Sequence, residues 1–155
     1  MASSKKNSDH QEPERILVYD DEQVILDLLA LVLSREGYEV AATPSDEEAH
    51  GLVSTQAFDL AITDLGLRRS NGCKLVKTIR DLSPDTTVVA ISAYPAREVV
   101  RFARENAQAF LQKPFALSDL LSVVREALGD ESLAEAPGET TSASQEGLQV
   151  TRGNA

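Results

Sequence analysis

A doubly wound α/β fold built on a parallel sheet is what this sequence predicts, and three observations carry that reading. Short apolar runs alternate five times with amphipathic helical segments. Four of the five runs are almost continuously apolar, as strands covered on both faces must be. The segments between them carry helix start and stop signals, and each crossover between parallel strands is expected to be right-handed.

In order, the first strand is ILVY (16–19), followed by the helical pattern QVILDLLALVLSRE, which runs into Gly37 as a C-terminal stop. The second strand is YEVAA (38–42), and Ser45 to Glu48 then spells the capping box SDEE ahead of Ala49, Leu52 and Val53. LAIT (60–63) is the third strand, with the helix CKLVKTIRDL after Asn71-Gly72. VVAI (88–91) is the fourth, with AREVVRFARE after Pro95; AFL (109–111) is the fifth, with LSDLLSVVREAL ending at Gly129. This places one domain over 15–129. The polar opening, 1–14, and the Ser-, Thr-, Gly-, Ala- and Glu-rich stretch 130–155 read as disordered segments that do not pack.

Composition limits the functions open to such a domain. The chain has 155 residues, is 42% hydrophobic and carries a net charge of −10. The nets of 1–14, 15–129 and 130–155 are −1, −5 and −4, which argues against a nucleic-acid-binding face. A single cysteine, Cys73, rules out an internal disulfide, and no apolar run has the length of a signal peptide or a membrane span. The expected location is the cytoplasm.

In a parallel sheet every strand points its carboxyl end to the same edge, where ligands bind. The residues delivered there are Asp20 and Asp21 after the first strand, Asp64 after the third, Ser92 after the fourth and Lys113 after the fifth. Three crowded carboxylates repel one another and raise each other's pKa unless a cation is present. A hard divalent ion resolves the conflict. Mg²⁺ suits a site with few protein carboxylates, because it retains waters and leaves positions for phosphate oxygens. Taken alone, Asp20, Asp21 and Glu22 could be helix N-terminal acids favoured by the dipole. Their convergence with Asp64 and Lys113 favours the metal, leaving Glu22 as a helix-start acid.

These motifs together, DDE after ILVY, ITDLGLRRSNG around Asp64, ISA at Ser92 and FLQKPF around Lys113, resemble the receiver domain of two-component response regulators, of the chemotaxis-regulator type. The resemblance covers roughly 15–129. It implies a flavodoxin-like (βα)5 fold, strand order 2-1-3-4-5, and a set of roles. Asp64 would accept a phosphoryl group from a histidine kinase or phosphotransfer protein. Asp21, Asp20, Asp64 and the backbone carbonyl of Gly66 would hold Mg²⁺. Lys113 and Ser92 would contact the phosphoryl oxygens, Ser92 and Phe110 would form the switch, Gly72 would be the glycine that follows the acceptor, and the Lys113-Pro114 bond would be cis. Phosphoryl transfer needs chiefly positioning and charge neutralisation, which such a site supplies.

The chain departs from the family's usual pattern at Leu67-Arg68, where Met-Pro is common, at Phe110, where Tyr is frequent, and at Asn106, a frequent glycine. No catalytic group is lost. Arg68 and Arg69 could draw an acidic partner, although a charge pair in a loop is usually just solvated, and Tyr94 could gate water. The function implied is a phosphorylation-activated signalling switch and not an enzyme beyond its own phosphorylation and slow dephosphorylation. Output would pass to a downstream protein through the fourth helix, fifth strand and fifth helix, around Arg97, Val100, Arg101 and Phe110. Dimerisation on phosphorylation is a further expectation; direct nucleic-acid or membrane binding is not expected. Two alternatives stand beside this: a receiver fragment of a larger regulator whose effector is missing, and a haloacid-dehalogenase-like aspartyl-phosphate phosphohydrolase. The latter needs an Asp two residues after the nucleophile, where this chain has Gly66.

Overall fold

The computed structural model describes residues 12–66, 71–94 and 96–129, together with the backbone of 150–152. Its elements are β1 (Arg15–Tyr19), α1 (Gln23–Arg35), β2 (Glu39–Thr43), α2 (Asp46–Thr55), β3 (Leu60–Asp64), α3 (Asn71–Leu82), β4 (Thr87–Ser92), α4 (Arg97–Asn106), β5 (Ala109–Gln112), α5 (Leu117–Ala127) and β6 (Val150–Arg152). The sheet order is β2-β1-β3-β4-β5-β6. The first five strands are parallel, in the order 2-1-3-4-5 that the resemblance implies.

The apolar runs become strands because both faces of the sheet are covered. Leu17, Tyr19, Ala61, Val88, Ala90 and Phe110 pack on one side with residues of α2, α3 and α4. Ile16, Val18, Ile62, Val89, Ile91 and Leu111 alternate to the other side, against α1 and α5. The outer strand β2 is only half-buried, and Glu39 at its start is exposed, as fits an edge.

Local signals act where the sequence places them. Gly37 adopts φ +98°, Tyr38 N donates to Leu33 O and Gly37 N to Ser34 O: this is a Schellman ending, which requires a left-handed residue. Ser45 caps α2 by accepting from Glu48 N at 3.0 Å. The return arm of the box is different. Glu48 Oε1 accepts from Thr43 Oγ1 at 2.6 Å, and that hydroxyl in turn accepts from Ser45 N at 3.0 Å. Thr43 thus relays the contact and ties β2 to the helix start.

The sixth strand extends the five-stranded sheet expected from the sequence. Val150–Arg152 pairs antiparallel with β5, Phe110 standing opposite Thr151. The stretch 130–155 was expected not to pack. Its pairing answers a non-local need, since β5 would otherwise present an unpaired row of N–H and C=O groups, and Val and Thr suit an extended partner.

Candidate metal and phosphoacceptor site

Asp20 and Asp21 directly follow β1, Asp64 ends β3, Ser92 ends β4 and Lys113 directly follows β5. Parallel strands therefore deliver all five to one edge. Ligand oxygens of Asp20, Asp21 and Asp64 lie within 4.8 Å of one another. Asp20 is fully buried and Asp21 exposed, while the Asp64 side chain retains 11% exposure. Asp64 is thus reachable from solvent, but only just.

Among the described residues one cation, Lys113, faces these acids. Lys113 Nζ is 2.9 Å from Asp20 Oδ2 and 3.5 Å from Asp64 Oδ2. Lys113 is thus the charged partner of the buried Asp20 carboxylate. Burial works to lower the Lys113 pKa, but contact with Asp20 and the charges of Asp64 and Glu22 outweigh it and leave the pKa raised. Burial, opposed by Lys113, also raises Asp20. Asp64 is pushed up to about 6, first by burial and then by the charge of Asp20, against the pull of Lys113. A single lysine does not balance the cluster.

The backbone around Asp64 is specialised. Gly66 has φ +73°, and its N–H donates to Asp64 Oδ1 at 3.1 Å. Gly72 opens α3 so close to β3 that a Cβ there would run into the carbonyl oxygen of Asp64 and stand 2.8 Å from its carbonyl carbon. A glycine at position 72 is therefore a steric requirement. The Lys113-Pro114 bond is cis.

Ser92 reaches the loop after Asp64 through Gly66 O, and Phe110 lies on β5, the strand that leads into Lys113. The Ser92 hydroxyl is held by backbone: it accepts from Tyr94 N at 3.1 Å, and its one proton goes to Tyr94 O at 3.1 Å or Gly66 O at 3.3 Å. Phe110 is 3% exposed and packs with Val99 and Ala103 of α4. Tyr94, whose backbone holds the Ser92 hydroxyl, is 51% exposed. Arg68, Arg69 and the Leu67-Arg68 departure lie outside the described residues.

The sequence reading missed one member. Glu22, taken as a helix-start acid, makes no side-chain cap and brings Oε1 to 3.6 Å from Lys113 Nζ. Adjacency to Asp20 and Asp21 was the available signal, but only the fold shows which way it turns. The donor set of carboxylate oxygens and its excess of negative charge fit a hard divalent cation.

Comparison with known proteins gives a consistent answer. Residues 16–125 match the model of the response regulator receiver domain. The chain is 35% identical over 118 residues to the DNA-binding transcriptional regulator NtrC of Azospirillum brasilense, covering 76% of this chain and 24% of that protein. It likewise spans less than two thirds of the length of the other curated relatives that it matches here. Among solved structures, a CheY-like receiver domain protein from Methanospirillum hungatei superposes with TM-score 0.72 at 30% identity, covering 77% of this chain and 96% of that one. The response regulator TrrA of Thermotoga maritima, in complex with Mg²⁺-BeF, gives TM-score 0.66 at 30% identity, covering 74% and 99%. The motifs at the strand ends, the parallel sheet and these matches together show that the chain belongs to the response regulator receiver domain family.

Proposed function

We propose that Asp64 is the phosphoacceptor of a Mg²⁺-dependent switch charged by a histidine kinase or phosphotransfer protein. The observation that carries this reading is the convergence of Asp64 with Asp20, Asp21 and Lys113 at one strand edge. One Asp64 oxygen forms the O–P bond as the donor's P–N bond breaks, and the electron pair leaves on the imidazole nitrogen, which takes up a proton. Asp20, Asp21, Asp64 and the Gly66 carbonyl would hold Mg²⁺, which supplies neutralising charge to the phosphoryl oxygens when bound. The similar Thermotoga receiver crystallised with Mg²⁺-BeF supports that assignment. Lys113 contributes the protein's own positive charge, and the Gly66 N–H orients the carboxylate.

Docking of a donor is supported by α1, which begins beside the site and leaves Val24, Leu28 and Leu31 exposed at helical spacing along one face. Output is assigned to the face of α4, β5 and α5. Phosphorylation draws the Ser92 hydroxyl from Tyr94 O to the new phosphoryl oxygen, and Phe110 on β5 repacks against α4. A partner protein, or a second copy of the chain, reads that change. Among the described residues no helix is long and apolar enough to cross a membrane, and we place this activity in the cytoplasm. The NtrC match to a quarter of a longer regulator supports the reading in which such a receiver governs an effector. A dehalogenase-type phosphohydrolase is not favoured, because Gly66 offers only a backbone N–H where the acid/base carboxyl would stand.

The test is intact mass after incubation with acetyl phosphate and Mg²⁺. The wild type gains one phosphoryl group and Asp64→Asn gains none. A labelled Asp64→Asn chain would place the acceptor elsewhere.

A further inference from the structure

The far edge of the sheet carries an arrangement that phosphoryl chemistry does not use. β5 would be the last strand of the parallel sheet, yet Val150–Arg152 lies against it, pairing Ala109 with Arg152, Phe110 with Thr151 and Leu111 with Val150. We propose that this segment is an intramolecular cap that closes the β5 edge to partners, so that the chain carries its own occupant for the face through which it signals. The proposal rests on the reading of α4, β5 and α5 as the output face.

Two observations support it. The paired positions are on the strand that also carries Phe110 and leads directly into Lys113, so the cap sits on the element linking the site to the surface. The cap is short, three residues, which limits it to a few backbone hydrogen bonds and keeps it displaceable. Its tether compensates: a connection of residues 130–149 holds the strand near β5 at an effective concentration on the order of millimolar. A competing partner would have to add an extended strand to the same edge.

The experiment is amide-resolved hydrogen exchange on the full chain and on a full chain carrying Val150→Pro with Thr151→Pro. Successive N–H groups of a strand point to opposite sides, so the pair removes a donor to β5 whichever of the two faces it. Loss of the cap should speed exchange of the outward-facing amides among Ala109, Phe110 and Leu111 by about tenfold or more, given the usual worth of a hydrogen bond or two, and leave β1 and β3 unchanged. Equal exchange in the two chains overturns the cap. Protection of β5 that fades on dilution of the wild type also overturns it, because the strand would then come from a second copy. Intact mass with acetyl phosphate on the same samples separates the two claims: unlabelled Asp64 with a tenfold effect at β5 would sink the functional reading and leave the cap standing.

Discussion

The two ends of the β-strands handle polar groups in opposite ways. At the amino end, demands are met in pairs: Arg15 N donates to Asp59 Oδ2 at 2.8 Å, Arg15 Nε stands 3.6 Å from Glu39, and Thr86 Oγ1 donates to Phe58 O at 2.8 Å while meeting Ser83 Oγ at 2.9 Å. At the carboxyl end, Asp20, Glu22 and Asp64 all face Lys113, and Asp21 joins Asp20 and Asp64 in one acidic cluster. The amino end is built for stability alone. The carboxyl end gathers more negative than positive charge, a conflict that a bound cation would relieve.

The most damaging way to disturb that contrast is to remove the lysine. Lys113→Met leaves Asp20 as a buried charge without its partner, which typically costs about 3 kcal/mol or more. Denaturant unfolding in chelator should show this loss, and saturating Mg²⁺ should recover much of it. If the chelated variant were as stable as the wild type, Lys113 would not be offsetting the cluster.

Ser92→Ala bears on how the conflict is transmitted. The chain should still accept phosphate on Asp64 but lose about 1.5 to 3 kcal/mol of coupling, the worth of one hydrogen bond to a charged group. Moving a switch from 1:99 to 99:1 takes about 5.5 kcal/mol, so Phe110 should remain mostly in its resting position. Phe110 ring NMR shifts, with and without beryllofluoride, check this; a full wild-type shift would remove the hydroxyl from the pathway.

Asp64→Asn makes a smaller, pH-dependent difference. The Asp64 pKa is raised from 3.8 to about 6, so between those values the folded state binds more protons than the unfolded one. Stability from this group is present below about pH 4 and is lost as pH rises through 6. Asn does not ionise. Metal-free Asp64→Asn should therefore gain on the wild type across that window, reaching about 1 to 2 kcal/mol by pH 7 after allowance for solvent screening. A difference that stays flat with pH would show that Asp64 is not strained.

The amino end supplies the control. Thr86→Val removes a buried hydrogen bond and should cost about 1 kcal/mol, with no dependence on Mg²⁺. A Mg²⁺-dependent loss there would break the contrast between the two ends.

Much of this was legible in the sequence, for reasons that are local. Strands covered on both faces must be apolar throughout, so ILVY, LAIT and VVAI announced themselves, and Gly37 and Ser45 marked helix ends through chemistry confined to a few residues. The parallel arrangement then turned strand ends into a site without any side-chain geometry. What was not legible depends on direction or distance. Glu22 turns to Lys113, far along the chain; the Ser92 hydroxyl is engaged by the backbone of Tyr94 and Gly66. β6 is three residues within a polar stretch with no periodicity, and its pairing is determined by an edge formed elsewhere.

The claim that the carboxyl end is held in conflict for a cation to relieve is tested most directly by thermal unfolding of the wild type and Asp21→Ala, each in chelator and in Mg²⁺. At Mg²⁺ about a hundredfold above Kd the wild type should gain about 2.7 kcal/mol, a rise in Tm of roughly 5 to 10 °C. Asp21→Ala should melt above the wild type in chelator, because one repelling carboxylate is gone, and respond far less to Mg²⁺. A wild-type Tm that does not move with Mg²⁺, or an Asp21→Ala chain that melts lower in chelator and keeps the full Mg²⁺ response, would contradict the account.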